Sequence, residues 1–272
     1  MHELLRNLPP AARVLDLGCA GGSFPTDGCS FTVVRIDLER PDPHASNFVQ
    51  ADAAKLPFHT ACFDAVVSNH SLEHFDNLAA SLDEVGRVVK STGALYVAVP
   101  DATTISDRLY RWLARGGGHV NAFSSPSDLA LRIERATGLK HIATRTLCAS
   151  LSCFNRKNRR ARAPRRLVLI GGGTQTSLRL LTYIFRVLDR FLHTRMSVYG
   201  WAFYFGNIET PIDPRTATNV CIRCGSGHAS DWLLHDRNLV RRRLFFRTYK
   251  CPTCGTKNLF TDDHGYAHLS PQ

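Results

Sequence analysis

Four cysteines fall into two Cys-x-x-Cys pairs, Cys221-Ile222-Arg223-Cys224 and Cys251-Pro252-Thr253-Cys254, each followed by a glycine, Gly225 and Gly255. Four thiolates at such spacing suit tetrahedral Zn²⁺ in a closed, structural site with no open position for catalysis. His228, His235 and His264 are nearby in sequence, but the four cysteines already complete the ligand set. The 26 residues between the pairs allow a hairpin, with Ala229 to Leu234 on one arm and Val240 to Tyr249 on the other. The other five cysteines, Cys19, Cys29, Cys62, Cys148 and Cys153, are scattered and odd in number. Such a remainder suits reduced thiols and a cytoplasmic location better than a disulfide framework.

A second chemistry-bearing stretch runs Val14-Leu15-Asp16-Leu17-Gly18-Cys19-Ala20-Gly21-Gly22-Ser23-Phe24. It reads as a strand that turns sharply through glycines into a helix. Glycine allows a ligand to approach the backbone closely, and a helix N-terminus adds ligand-facing N–H groups. Asp37 lies 19 residues beyond Gly18, and Asp52 follows the short apolar run Phe48-Val49-Gln50. Each acid taken singly reads as a cap or a turn residue. Three acids at successive strand ends mark a binding crevice, because open α/β sheets bind ligands at the carboxyl ends of their strands. The dinucleotide fingerprint G-x-G-x-x-G fails here, since Ala20 stands two residues after Gly18. Candidates for a general base are His70, Glu73, His74 and His119. His70 reads either as a base or as a loop residue shaping the pocket, and His119 either as an acceptor contact or as loop packing.

These residues need a scaffold. Apolar runs at 11–18, 31–37, 63–69, 94–99, 139–148 and 198–205 read as strands. Between them, Leu78, Leu82, Val85, Val88 and Val89 recur at helical spacing, as do Leu129, Leu131 and Ile133 behind a Ser125 or Ser127 cap. Strands alternating with helices predict an α/β fold with a doubly wound, mostly parallel sheet. A helix is expected over 177–193, with Arg179, Thr182, Arg186, Asp189, Arg190 and His193 in one polar stripe and a broad apolar remainder.

Taken together, Leu15 to Gly22, Ala51-Asp52-Ala53 with Leu56-Pro57-Phe58, and Phe63 to His74 resemble the class I S-adenosylmethionine-dependent methyltransferases of the type-11, ubiquinone/menaquinone-methyltransferase-like branch. The resemblance covers about residues 11–148 and implies a Rossmann-like methyltransferase sheet. It implies that Asp16, Gly18, Ala20 and Gly22 hold the methionyl end of the cofactor and that Asp37 takes the ribose hydroxyls. Asp52, with Ala53 beside it, would accept from the adenine amino group, and Asn69 would lie near the methionyl group and the acceptor. Where the family has glycine, this chain has Ala20. His70 and His119 are the catalytic candidates.

The expected organisation is a methyltransferase domain over 1–208, a linker over 209–219 and a zinc ribbon over 220–272. The net charge of +11 is concentrated: residues 155–195 hold 11 Lys/Arg and one acid, whereas residues 1–154 hold 14 and 16. The basic loop 155–166 and the amphipathic helix after it precede the last strand. They predict either RNA phosphates, gripped together with the ribbon, or peripheral contact with the inner face of a membrane. No apolar run is long enough for a transmembrane helix, and the N-terminus carries no signal-peptide pattern. The leading functional expectation is methyl transfer to a small-molecule or lipid-linked acceptor. Two alternatives stand beside it, an RNA methyltransferase and a non-catalytic binding protein of the same fold.

Overall fold

A computed structural model describes residues 1–40, 47–113, 118–148, 151–155, 173–236, 238–242 and 246–261. The chain divides into two compact units, each assembled from three stretches. The first comprises Met1–Pro100, Val120–Thr144 and Ala202–Ile212, and the second Asp101–His119, Arg145–Trp201 and Asp213–Gln272.

The first unit opens with a short helix α1 (His2–Leu5), then strands β1 (Arg13–Leu17), β2 (Thr32–Asp37), β3 (Phe48–Gln50) and β4 (Phe63–Asn69). Helix α2 (Leu78–Val88) leads into β5 (Val89–Pro100). Among the described residues, β1–β2, β2–β3, β1–β4 and β4–β5 all pair in parallel. Strands covered on both faces are expected to read as unbroken apolar runs. Val14, Leu15, Val66 and Val67 accordingly have no accessible surface. Asp64, at the start of β4, accepts the Arg13 N–H at 2.9 Å and the Lys90 ammonium at 2.6 Å, tying three strands at one end.

Helix α4 (Pro126–Thr137) starts on a Ser125 cap and stops at Gly138, whose φ of 69° is left-handed. It packs on α2 so closely that a β-carbon at Gly86 would stand 2.5 Å from the Ala136 carbonyl. Two longer strands follow, β6 (His141–Cys148) and β7 (Val198–Gly206), giving the order β3-β2-β1-β4-β5-β7-β6. The Asn207 N–H reaches Gly93 at the start of β5, while the Asp101 N–H at its end reaches Tyr199. The end of β7 thus lies at the beginning of β5, and β7 runs antiparallel to it. The sheet is otherwise mostly parallel, as expected.

The second unit contains α3 (Ile105–Leu113) and the long helix α5 (Gln175–Leu192), capped by Thr174. Strand β8 (Thr218–Val220) pairs in parallel with Leu147 and Cys148 of β6, and antiparallel with β9 (Gly227–Ala229). Helix α6 (Ser230–His235) precedes an antiparallel sheet of β10 (Val240–Arg242), β11 (Arg247–Lys250) and β12 (Lys257–Phe260). One core gathers Leu151, Phe154, Leu178, Phe185 and Ile222, and another gathers Cys221, Leu233, Tyr249, Cys251 and Phe260.

Three expectations are corrected. No helix follows the glycine loop: residues 18–31 form only turns before β2. Gly18, Gly21, Gly22, Pro25 and Gly28 fall within that short stretch, and glycine and proline are the poorest helix formers. The first arm of the ribbon hairpin is instead helix α6, and the hairpin is formed by β10 and β11. Third, a broad apolar remainder of α5 facing the core is not what forms, because Thr182 and Asp189 of the polar stripe lie on its buried side while Leu180, Ile184 and Phe191 are exposed. The basic loop 155–166 lies outside the described residues apart from Asn155. No helix among the described residues is long and apolar enough to cross a membrane.

Candidate active site and metal centre

The glycine loop is shaped by left-handed backbone at Gly18 (φ 64°), Ala20 (φ 43°) and Gly22 (φ 106°). Gly18 backs onto Ser71, whose side chain would collide with any β-carbon placed there. The Ser71 hydroxyl donates to the Leu17 carbonyl at 3.0 Å and shares a hydrogen bond with Ser68 at 2.6 Å. The Gly18 and Cys19 N–H groups donate to the Ile36 carbonyl, fastening the loop to β2.

Asp16 is fully buried at the end of β1. Its Oδ2 accepts the Ser23 N–H at 2.9 Å and lies 3.8 Å from Arg35 Nε, while its Oδ1 has no hydrogen-bond partner. Burial pushes this carboxyl above its ordinary value, against the opposing pull of Ser23 and Arg35. A buried carboxylate oxygen without a donor is costly, and a cationic or hydrogen-bonding ligand group satisfies it. Asp37, at the end of β2, accepts the Ala20 N–H at 2.7 Å through Oδ2. The Gly18 loop and Asp37 therefore form one hydrogen-bonded rim. Asp52 caps its own turn through the Ala54 N–H at 2.9 Å, with buried Ala53 beside it. Asn69 closes β4, and His70 follows with a φ of 58°.

The two histidine candidates fall in different units. His70 Nδ1 stands 3.7 Å from the carboxylate of Glu73, which is buried. In the second unit, His119 Nδ1 lies 3.2 Å from buried Asp107, which also holds Arg111 at 2.8 Å, and Tyr110 packs on the imidazole ring at 5.0 Å. Each histidine thus has a carboxylate within ion-pair distance of its Nδ1.

The four cysteines of the paired motifs converge, with one sulfur of each lying within 4.8 Å of all the others. The two knuckles are near copies of each other. The Gly225 N–H donates to the Cys221 carbonyl at 2.9 Å, and the Gly255 N–H to the Cys251 carbonyl at 2.8 Å. Both glycines are left-handed, at φ 75° and 70°. The Arg223 N–H and the Asn258 amide point at Cys221 Sγ from 3.4 and 3.5 Å. Hydrogen bonding among the thiols pulls Cys224 well below its ordinary range and pushes Cys221 up to about 11. Only some of the thiols can ionise together in such a cluster, and a thiophilic cation removes that conflict.

Several residues were not singled out from the sequence. Arg35, Ser23 and Ser71 around the glycine loop and Asp107 behind His119 are among them. Arg35 left a signal, as a charged residue inside the apolar run Thr32–Asp37. Among the described ribbon aromatics, Tyr249 and Phe260 are packed, whereas Phe246 is partly exposed. Tyr249 is buried, the Arg247 guanidinium covers Phe260 at 5.0 Å, and Phe246 meets Tyr183 edge-on at 5.6 Å.

Residues 1–144 match a family model described as a methyltransferase domain. The chain is 30% identical over 138 residues to a malonyl-[acyl-carrier protein] O-methyltransferase of Enterobacter lignolyticus, spanning 46% of this chain and 55% of that protein. It is 32% identical over 108 residues to a demethylmenaquinone methyltransferase of Roseiflexus sp., spanning 34% and 45% of the two. The crystal structure of a SAM-dependent methyltransferase from Archaeoglobus fulgidus aligns with a TM-score of 0.49 and 18% identity, over 72% of this chain and 86% of that one. The chain spans about half the length of the first two curated relatives it matches.

Proposed function

The chain belongs to the methyltransferase-domain family, and from that premise we propose that it transfers a methyl group from S-adenosylmethionine to a small-molecule or lipid-linked acceptor. The observation that carries this reading is buried Asp16, with one carboxylate oxygen unpartnered beside the Gly18–Gly22 loop. The cofactor supplies a methyl group already activated on a sulfonium sulfur.

The protein's part is to hold and aim. Asp16 Oδ1 accepts from the ammonium of the methionyl end, and Gly18, Ala20 and Gly22 leave the backbone open to it. Asp37 accepts from the ribose hydroxyls with the carboxylate that braces Ala20. Asp52 and Ala53 meet the adenine edge, and Asn69 borders the acceptor. Orientation of this kind supplies about 7–11 kcal/mol at the extreme. Where the acceptor must lose a proton, His70 and His119 are the candidate bases, with Glu73 and Asp107 at ion-pair distance. The relatives named for an acyl-carrier-protein ester and for a quinone support the acceptor class. The four cysteines hold a structural zinc ion in a ribbon that begins near residue 220.

The test uses methyl-labelled S-adenosylmethionine with purified protein and an extract of the source organism, together with cofactor binding by calorimetry. Label in the solvent-extractable fraction, resistant to nuclease, is the expected result. Asp16→Asn is expected to weaken cofactor binding by about ten-fold or more, the range of a hydrogen bond to a charged group. Label destroyed by nuclease removes the small-molecule and lipid-linked reading. Unaltered binding by Asp16→Asn removes the role given to that carboxylate.

A further inference from the structure

Helix α5 carries large apolar side chains on both its buried and its exposed side. Its buried side carries Leu178, Thr182, Phe185 and Asp189. Its opposite side carries Leu180, Ile184 and Phe191, exposed to 61%, 44% and 73%. These three recur at spacings of four and seven, so they form one ridge along the helix. Leu192, at the C-terminal end of the helix, is 64% exposed. Large apolar side chains gathered along an exposed ridge signal a contact surface.

Charge says which contact. Arg179 and exposed Arg190 flank the ridge along one side, while Arg186 between them turns its buried Nε inward. The helix's single acid, Asp189, is fully buried, its carboxylate occupied by the Met196 N–H at 2.7 Å, the Thr194 hydroxyl at 2.6 Å, and the N–H and hydroxyl of Ser197. It lies on the side away from the ridge. In sequence, seven further Lys/Arg lie between 156 and 166 with no acid among them. A second copy of the same face would set arginine against arginine, which is unfavourable. An apolar ridge with basic residues along its border fits the boundary between anionic headgroups and acyl chains.

We propose that α5 docks on an anionic lipid surface through the ridge of Leu180, Ile184 and Phe191, with Arg179 and Arg190 meeting the headgroups. This deepens the lipid-linked acceptor reading by placing the protein where such an acceptor resides. Docking is measured without cofactor or acceptor, so the two can fail separately.

The experiment is flotation of the full chain with phosphatidylcholine vesicles, with and without phosphatidylglycerol. Binding to the anionic vesicles only is expected, weakened about ten-fold or more by the double change Leu180→Ser and Phe191→Ser, and separately by Arg190→Glu. Both variants alter exposed positions, and unchanged thermal melting checks that they fold. No binding to anionic vesicles overturns the proposal. So does binding that the apolar variant leaves intact, which reports a purely electrostatic contact with any polyanion. A dimer in sedimentation velocity that the apolar variant dissociates gives the ridge to a second copy and equally overturns it.

Discussion

Ala20 occupies left-handed backbone with φ 43°, a region that costs an L-residue about 1–2 kcal/mol. Its N–H is held there by Asp37 at 2.7 Å. Ala20→Gly removes the clash with the β-carbon and adds some freedom to the unfolded chain. A net stabilisation of about 0.5–1 kcal/mol is expected in urea melting. A loss of stability would mean that the loop relaxes elsewhere. Asp16 makes an opposite prediction about charge. Burial raises its carboxyl from 3.8, so the folded protein binds that proton more tightly than the unfolded chain does. Its contribution to stability therefore falls as pH rises from about 4 through the raised folded value. Asp16→Asn is expected to melt at or above the wild-type temperature at neutral pH without cofactor. A marked drop would show the carboxylate to be structural. The strand-end acids were legible in the sequence because their position follows from the βα alternation. Arg35 was not, because its weight depends on Asp16 facing it from a different strand.

At the scale of elements, α2 and α4 meet in close packing. Gly86→Ala would drive a methyl group to 2.5 Å from the Ala136 carbonyl, a backbone atom that cannot swing aside. Overpacking of this kind costs about 1–3 kcal/mol, readable as a lowered denaturation midpoint, and an unchanged midpoint would show that the helices can part. Apolar periodicity placed α2, α4 and the strands within a few residues. It failed after β1, where an expected crossover helix gives way to turns rich in Gly and Pro. It failed again at α6, since Ser230–His235 is too short for its period to be read. For α5, periodicity showed which residues share a face but not which face turns inward. That choice is made by the segment after the helix, whose Met196 and Ser197 N–H groups need the carboxylate of Asp189.

For the whole molecule, the sequence showed an acid-balanced N-terminal half, a basic stretch and a cysteine-bearing end. That each compact unit draws on three separate stretches left no local mark, because the contacts that join them are made between residues far apart in the chain. The proposed zinc makes a prediction at this scale. Elemental analysis is expected to find one zinc per chain, and chelation is expected to unfold the end that packs around Cys221, Leu233, Tyr249, Cys251 and Phe260. Exposure of Tyr249, buried to 1%, gives the signal. Metal-free protein with Tyr249 still shielded would sink the zinc assignment.

The two matched knuckles have one more consequence, in chain entropy. They clasp the ends of the 26 residues from Gly225 to Lys250, which include α6, β10 and β11. Closing a loop of that length removes about 3–4 kcal/mol of freedom from the unfolded chain if the clasp survives unfolding, as a crosslink does. A metal clasp differs from a disulfide in that it can open. With zinc held as proposed, the stability of this end would be set by the free zinc concentration around the protein.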